Sequence, residues 1–224
     1  MKIIEPYVEV YPFDGKQIAK NLERYARTAY KSEGAITGDS YDAFLRRIIK
    51  NGHTSTLEHE KVTVKFVVDR GISHEIVRHR VGAAYTQEST RYCNYSKDGF
   101  GNEITVIRPF FFPENSAEYK AWHSCCKTAE VYYMRLLSLG RTPQEARSIL
   151  PNSLKTEIVV TYNIREWRHF FSLRCAKEAH PQMRQVTIPL FIHLRKRLIP
   201  LLDDLSFDMN FPIEHYAEVK EGKP

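Results

Sequence analysis

The stretch KVTVKFVVDRGISHEIVRHR, residues 61–80, decides the fold class because its hydrophobic period changes halfway along. Val62, Val64, Phe66 and Val68 alternate with Lys61, Thr63, Lys65 and Val67. A two-residue period puts each set on one face, so Lys61 to Val68 is expected to be a strand with one face buried. Asp69-Arg70-Gly71 then breaks the pattern. Ser73 is placed to N-cap a short helix carrying His74 to Arg80, since its hydroxyl can accept from an orphan N–H of the first turn.

The same two periods recur outward from this stretch. Leu154 to Tyr162 reads as a strand, with Thr156, Ile158, Val160 and Tyr162 on one face, and Asn102 to Arg108 reads as another. Helical spacing covers Gln17 to Lys31, Tyr41 to Lys50 (stopped by Asn51-Gly52), Ala117 to Leu139 (ended by Gly140), Ile164 to Cys175 and Gln182 to Leu198. Thr142-Pro143-Gln144-Glu145 is a helix start with Thr as N-cap, Pro at N1 and Glu at N3; this helix is expected to run to Leu150 and stop at Pro151. Strands interleaved with helices, without a regular βαβ repeat, indicate an α+β class. The expected architecture is a central, mainly antiparallel sheet flanked by helices, in a single domain over residues 1–224. No G-x-G-x-x-G follows a strand, so a Rossmann nucleotide site is not indicated.

Composition narrows the possibilities. The 224 residues suffice for a well-buried core, and 42% hydrophobic with 27% charged residues is ordinary for a globular chain. The first residues carry no long apolar run of the signal-peptide kind, and no uncharged stretch is long enough to cross a bilayer. A soluble, cytoplasmic protein without a membrane partner is expected. Cys93, Cys125, Cys126 and Cys175 form no C-x-x-C pair and no disulfide framework, and at least one of the adjacent Cys125 and Cys126 is expected to be a buried, inert thiol. The net charge of +6 and pI near 9.1 suit either nucleic acid or small anionic ligands. Basic residues spread along the chain favour local phosphate pockets, and no nucleic-acid partner is expected.

The chemistry concentrates after the first strand. His74-Glu75-x-x-Arg78 resembles the zinc-protease pattern H-E-x-x-H, but its last position is arginine, which has no lone pair for a metal. No metal is expected. Arg78-His79-Arg80 alone is compatible with a solvated basic helix end, favoured by the macrodipole, or with a phosphate-contacting helix of a nucleic-acid binder. Ala84 to Tyr92 follows, packing Gln87, Glu88, Ser89, Thr90 and Arg91 into a few residues with little aliphatic content. Amide, carboxylate, hydroxyls and guanidinium together can fix an anionic, hydrogen-bonding ligand.

At these residues the chain resembles the flavin-dependent thymidylate synthases. Arg78-His79-Arg80, a spacer, and Gln87-Glu88-Ser89-Thr90-Arg91-Tyr92 look like that family's signature. His53-Thr54-Ser55-Thr56-Leu57-Glu58-His59 resembles its H-x-[ST]-x-x-E-H segment, and Ala146-Arg147-x-x-Leu150-Pro151 its A-R-x-x-L-P. Asn163-x-Arg165-x-x-x-His169-Phe170-x-x-x-Arg174 resembles its N-x-R…H-F…R helix, and Ala179 to Arg184 loosely follows A-Q-x-E-I-R. The blocks keep the family's order. The spacer from Val81 to Glu88 is one residue longer than usual, and Glu75 stands where glutamine is common.

The resemblance implies reductive methylation of dUMP to dTMP, with FAD as hydride carrier, NADPH as reductant and 5,10-methylenetetrahydrofolate as carbon donor. It implies FAD contacts at His53, Ser55, Glu58, Arg78, His79, Arg80, Asn163, Arg165 and His169. It implies dUMP contacts at Glu75, Arg78, Gln87, Glu88, Ser89, Thr90, Arg91, Arg147 and Arg174. Arg174 matches the residue that favours ionisation of the uracil N3, since a nearby guanidinium stabilises the anion. No enzyme nucleophile is implied, so Ser89 is read as a ligand contact. A homotetramer with D2-like symmetry and shared sites is also implied. Independently, Ile164, Trp167, Phe171 and Arg174 share one helix face, where Arg174 either snorkels to water or meets a partner.

Overall fold

The computed structural model describes residues 1–223. In chain order the strands are β1 (Lys2–Ile4), β2 (Tyr7–Val10), β3 (Lys61–Asp69), β4 (Ala83–Gln87), β5 (Thr105–Ile107), β6 (Lys155–Asn163) and β7 (Glu218–Glu221). The helices are α1 (Gly15–Tyr30), α2 (Ser40–Lys50), α3 (Arg70–Ile76), α4 (Ala117–Ser138), α5 (Pro143–Ala146), α6 (Ile164–Arg174) and α7 (Pro181–Arg197). The class is α+β, as expected.

The chain forms two compact units, each drawn from separate segments. The first takes Met1–Tyr7, Phe66–Arg78 and Thr86–Ile158; the second takes Val8–Lys65, His79–Tyr85 and the chain from Val159 onward. A five-stranded sheet has the order β4-β6-β3-β2-β7. Its middle strands show why the alternating pattern matters. On β6, Thr156, Ile158, Val160 and Tyr162 are all fully buried, and on β3 Val62, Val64, Phe66 and Val68 are buried. Val67 and Asp69 are buried too, so the end of β3 is covered on both faces and the alternation fades there.

Within the first unit, β1 pairs parallel with β5, matching Ile3 to Val106. A core of Tyr95, Ile104, Val106, Cys126, Tyr133, Ala146 and Leu154 gathers around them. Ser116 caps α4 by accepting from Tyr119 N, and Gly140 ends that helix region at φ +82°, a conformation glycine adopts without Cβ strain. Thr142 and Glu145 form the expected reciprocal capping box. In the second unit, α1 packs on α2, and α6 packs on α7 and on the one-turn helix Ser55–His59.

Several expectations change. The helix after β3 begins at Arg70, because Asp69 Oδ1 accepts from Ile72 N at 2.7 Å and takes the capping role assigned to Ser73. It ends at Ile76, so Arg78, His79 and Arg80 lie beyond the helix. The polar stretch from Ala84, for which no strand is expected, begins inside a strand, since β4 runs from Ala83 to Gln87. The helix begun at Pro143 gives way to a 3-10 turn at Arg147–Ile149, and the strand near Asn102 shrinks to Thr105–Ile107.

Candidate functional site

In the second unit, α6 carries three of the candidate side chains, Arg165, His169 and Arg174. Asn163, in extended conformation, caps it by accepting from Glu166 N at 2.8 Å. Ile164, Trp167, Phe170 and Phe171 are fully buried, and the Trp167 indole donates to Val62 O at 3.1 Å. These anchors fix the helix's rotation. Arg165 and His169 therefore face outward and are exposed, while Arg174 sits half-buried in the last turn, where a cation complements the dipole.

His79 is buried against this helix. Its Nδ1 lies 2.8 Å from Glu166 Oε1, and its Nε2 accepts from Arg174 Nε at 3.0 Å. A guanidinium only donates, so Nε2 carries no proton and the ring's hydrogen sits on Nδ1, pointing at Glu166. Burial, then the charges of Arg174 and His169, lower the His79 pKa from 6.5 to about 4. The ring is neutral at pH 7. Burial raises the Glu166 pKa, against the pull of His169. Tyr85 fixes the backbone here: its hydroxyl donates to the His79 carbonyl and so accepts from Tyr162 Oη at 2.8 Å. Donor atoms of His79, Glu166 and His169 lie within 4.8 Å of one another. A cation among them would face the Arg174 guanidinium, which opposes metal binding at His79 Nε2.

A cavity of about 420 Å³ opens in the same unit, lined by Tyr30, His53, Thr54, Ser55 and Arg165 among others. Tyr30 Oη meets His53 Nδ1 at 2.8 Å, and Arg165 forms an ion pair with Glu58. Four of the residues expected at FAD thus come from two distant segments to one place. Such a volume is ordinary for a small-ligand pocket, and its guanidinium, hydroxyl and imidazole are the donors a phosphate-bearing dinucleotide requires. Arg80 is exposed on the segment following His79.

The first unit holds the residues expected around the nucleotide, apart from Arg174. Gln87 Nε2 donates to Ser73 Oγ at 2.9 Å and to Thr156 Oγ1 at 3.1 Å. Both amide hydrogens are thereby used, so a ligand contact from Gln87 falls to its carbonyl oxygen. Arg147 donates to the buried Thr90 Oγ1 at 3.3 Å. Ser89 turns the chain, its carbonyl accepting from Tyr92 N and Cys93 N. The Arg91 guanidinium lies 5.5 Å from the Tyr92 ring centroid. Arg78 is exposed and Glu75 half-buried. Glu88 is spoken for: its carboxylate accepts from Tyr95 Oη and Lys155 Nζ, each at 2.9 Å. Lys155 also reaches Glu157 at 2.8 Å.

Sequence reading missed Glu166, Tyr85, Tyr162, Lys155 and Tyr95. Tyr162 was assigned to a buried face, but nothing local pointed to its hydroxyl partner. Glu166 has the local character of an ordinary acid in a helix's first turn. Cys175 is fully buried, with its thiol pushed up to about 12 by burial, which leaves it protonated and a poor nucleophile. Cys126 is buried and raised to about 11, whereas Cys125 is exposed. Among the described residues no helix is long and apolar enough to cross a membrane.

A family model described as "Thymidylate synthase complementing protein" matches residues 15–200. The flavin-dependent thymidylate synthase of Geobacter sulfurreducens is 33% identical over 184 residues, covering 79% of this chain and 77% of that protein. That of Pyrococcus horikoshii is 36% identical over 171 residues, covering 75% and 69%. The fold is also that of a UMP/dUMP methylase, PolB from Streptomyces cacaoi, solved with 5-Br dUMP bound. The TM-score is 0.73 at 19% identity, over 90% of this chain and 95% of that one.

Proposed function

The chain belongs to the flavin-dependent thymidylate synthase family, and from that premise we propose that it methylates dUMP reductively to dTMP with FAD, NADPH and 5,10-methylenetetrahydrofolate. The observation that carries the reading is the cavity of the second unit, where His53 and Ser55 meet Arg165 of α6. Its donors suit the flavin dinucleotide. His53, Ser55, Glu58, Arg78, His79, Arg80, Asn163, Arg165 and His169 would hold FAD, which supplies hydride when bound. Residues 1–224 act as one functional domain in this reading.

The chain's own side chains then bind, orient and polarise. Arg165 grips phosphate as a planar fork, for which its ion pair with Glu58 is exchanged or shared. Glu75, Arg78, Gln87, Glu88, Ser89, Thr90, Arg91 and Arg147 surround dUMP. Arg147 and Thr90 offer a cation and a hydroxyl together for its phosphate. Glu88, neutralised by Lys155, organises the loop more than it repels an anion. Arg174 stabilises the uracil N3 anion, and neutral His79 beside it adds no competing positive charge. No thiol is needed as nucleophile, in keeping with the protonated state of Cys175. A D2 homotetramer with shared sites, in the cytoplasm, completes the proposal.

The test is direct. Purified protein should be yellow and should form dTMP from dUMP only when FAD, NADPH and methylenetetrahydrofolate are all present. Colourless protein that neither binds added FAD nor exchanges the dUMP C5 hydrogen defeats the reading.

A further inference from the structure

Glu166 lies between the matched residues of the α6 block and has no part in the resemblance. It is nevertheless 5% exposed, and a buried carboxylate is costly unless a partner satisfies it. That partner is His79 Nδ1. Glu166, Phe170 and Arg174 follow i, i+4, i+8 spacing along α6, and His79 lies beside that stripe, its ring 4.9 Å from Phe170 centroid to centroid. An acid and an arginine two turns apart on one helix are thus bridged by a single imidazole.

We propose that Glu166 is a positioning residue for the dUMP chemistry, holding His79 as the Nδ1–H tautomer so that Nε2 fixes the Arg174 guanidinium. The inference rests on the function proposed above. In the order Glu166 Oε1, His79 Nδ1–H, His79 Nε2, Arg174 Nε–H, each donor meets an acceptor. The opposite tautomer turns Nε2–H towards Arg174 Nε–H and the Nδ1 lone pair towards a carboxylate. Both hydrogen bonds fail together, so control of one proton controls Arg174. A carboxylate that orients an imidazole in this way acts through tautomer and geometry, without itself taking the proton. Tyr85 and Tyr162 support the same arrangement by pinning the His79 backbone.

The test uses flavin-loaded full-length protein as wild type, Glu166→Ala and Glu166→Gln, comparing steady-state dTMP formation with the His79 tautomer read from ¹⁵N chemical shifts. The Gln side chain keeps an acceptor for Nδ1–H; Ala does not. Wild type should show Nδ1–H, and Glu166→Ala should lose it while kcat falls about tenfold to a hundredfold and KM for dUMP rises. Glu166→Gln should retain the tautomer and stay within roughly threefold of wild-type turnover. An Nε2–H tautomer in wild type, unchanged turnover in Glu166→Ala, or a Gln variant as impaired as Ala overturns the proposal. If Glu166→Ala does not fold, the wild-type tautomer and the Gln variant still decide it. A wild-type protein that forms no dTMP overturns the function and with it the role in dUMP chemistry, whereas the tautomer reports separately on the relay.

Discussion

Replacing Gly82 with alanine should unsettle α6 from outside the helix. Gly82 lies in the spacer that is one residue longer than its family's, at φ +66°, and its carbonyl accepts from Asn163 N at 3.3 Å. A Cβ there would stand 2.0 Å from Asn163 Nδ2 and 2.9 Å from its Cγ. Two costs follow. The left-handed conformation costs an L-residue about 1–2 kcal/mol. Asn163 must also rotate away, surrendering the cap on Glu166 N, which costs about 1 kcal/mol. The sum is roughly 2–3 kcal/mol, which for a chain of this size lowers Tm by roughly 4–12 °C. Thermal unfolding followed by circular dichroism should show this drop for Gly82→Ala and a smaller one for Asn163→Ala. The double variant should be about 1 kcal/mol more stable than the sum of the singles, because both remove the same cap. Since α6 carries Arg165, His169 and Arg174, Gly82→Ala should also weaken FAD binding. A Tm within about 2 °C of wild type, or strict additivity, would refute the reasoning.

Other outcomes follow from the same geometry. Folding keeps His79 neutral down to about pH 4, while the unfolded chain protonates near 6.5. The unfolded state therefore binds the extra proton, so stability should fall as pH drops from 6.5 to 4, by up to about 3 kcal/mol. Urea titrations across that window should show a loss that His79→Gln lacks; equal slopes would exclude His79 as the cause. Arg174→Ala should abolish dTMP formation yet keep the fold and flavin colour, and retained turnover would remove its assigned role. Arg165→Ala should raise the Kd for FAD at least about tenfold, as expected for loss of a charged hydrogen bond; unchanged affinity would detach the cavity from the flavin. Cys175→Ala should remain active, and in native wild type iodoacetamide should label Cys125 long before Cys175. Complete inactivity with an intact fold would reopen a role for the thiol.

Much of this protein is legible residue by residue. The alternation on β3 and β6, the capping box at Thr142 and Glu145, and the amphipathic face of α6 depend on neighbours a few positions apart. Periodicity and cap chemistry are local, so they survive reading along a line. The candidate site residues were selected differently, through blocks whose order matches a family. By contrast, β4 was hidden because two of its inward positions, Tyr85 and Gln87, carry polar groups. Tyr85 finds Tyr162 Oη, and Gln87 finds Ser73 and Thr156, partners that no hydrophobic period announces. The helix after β3 starts early because Asp69 and Ser73 are rival caps, and only the strand's end places Asp69 Oδ1 over Ile72 N.

The amino-acid sequence by itself determined the α+β class, the main helices and strands, and which residues to examine. Tertiary structure alone decided what those residues do to one another. His79 and Glu166 are 87 positions apart, and His79 and Arg174 are 95. Their separation along the chain carries no signal of contact. Burial then converts that contact into chemistry, because removing the imidazole from water makes its neutral form, and hence its tautomer, the deciding variable.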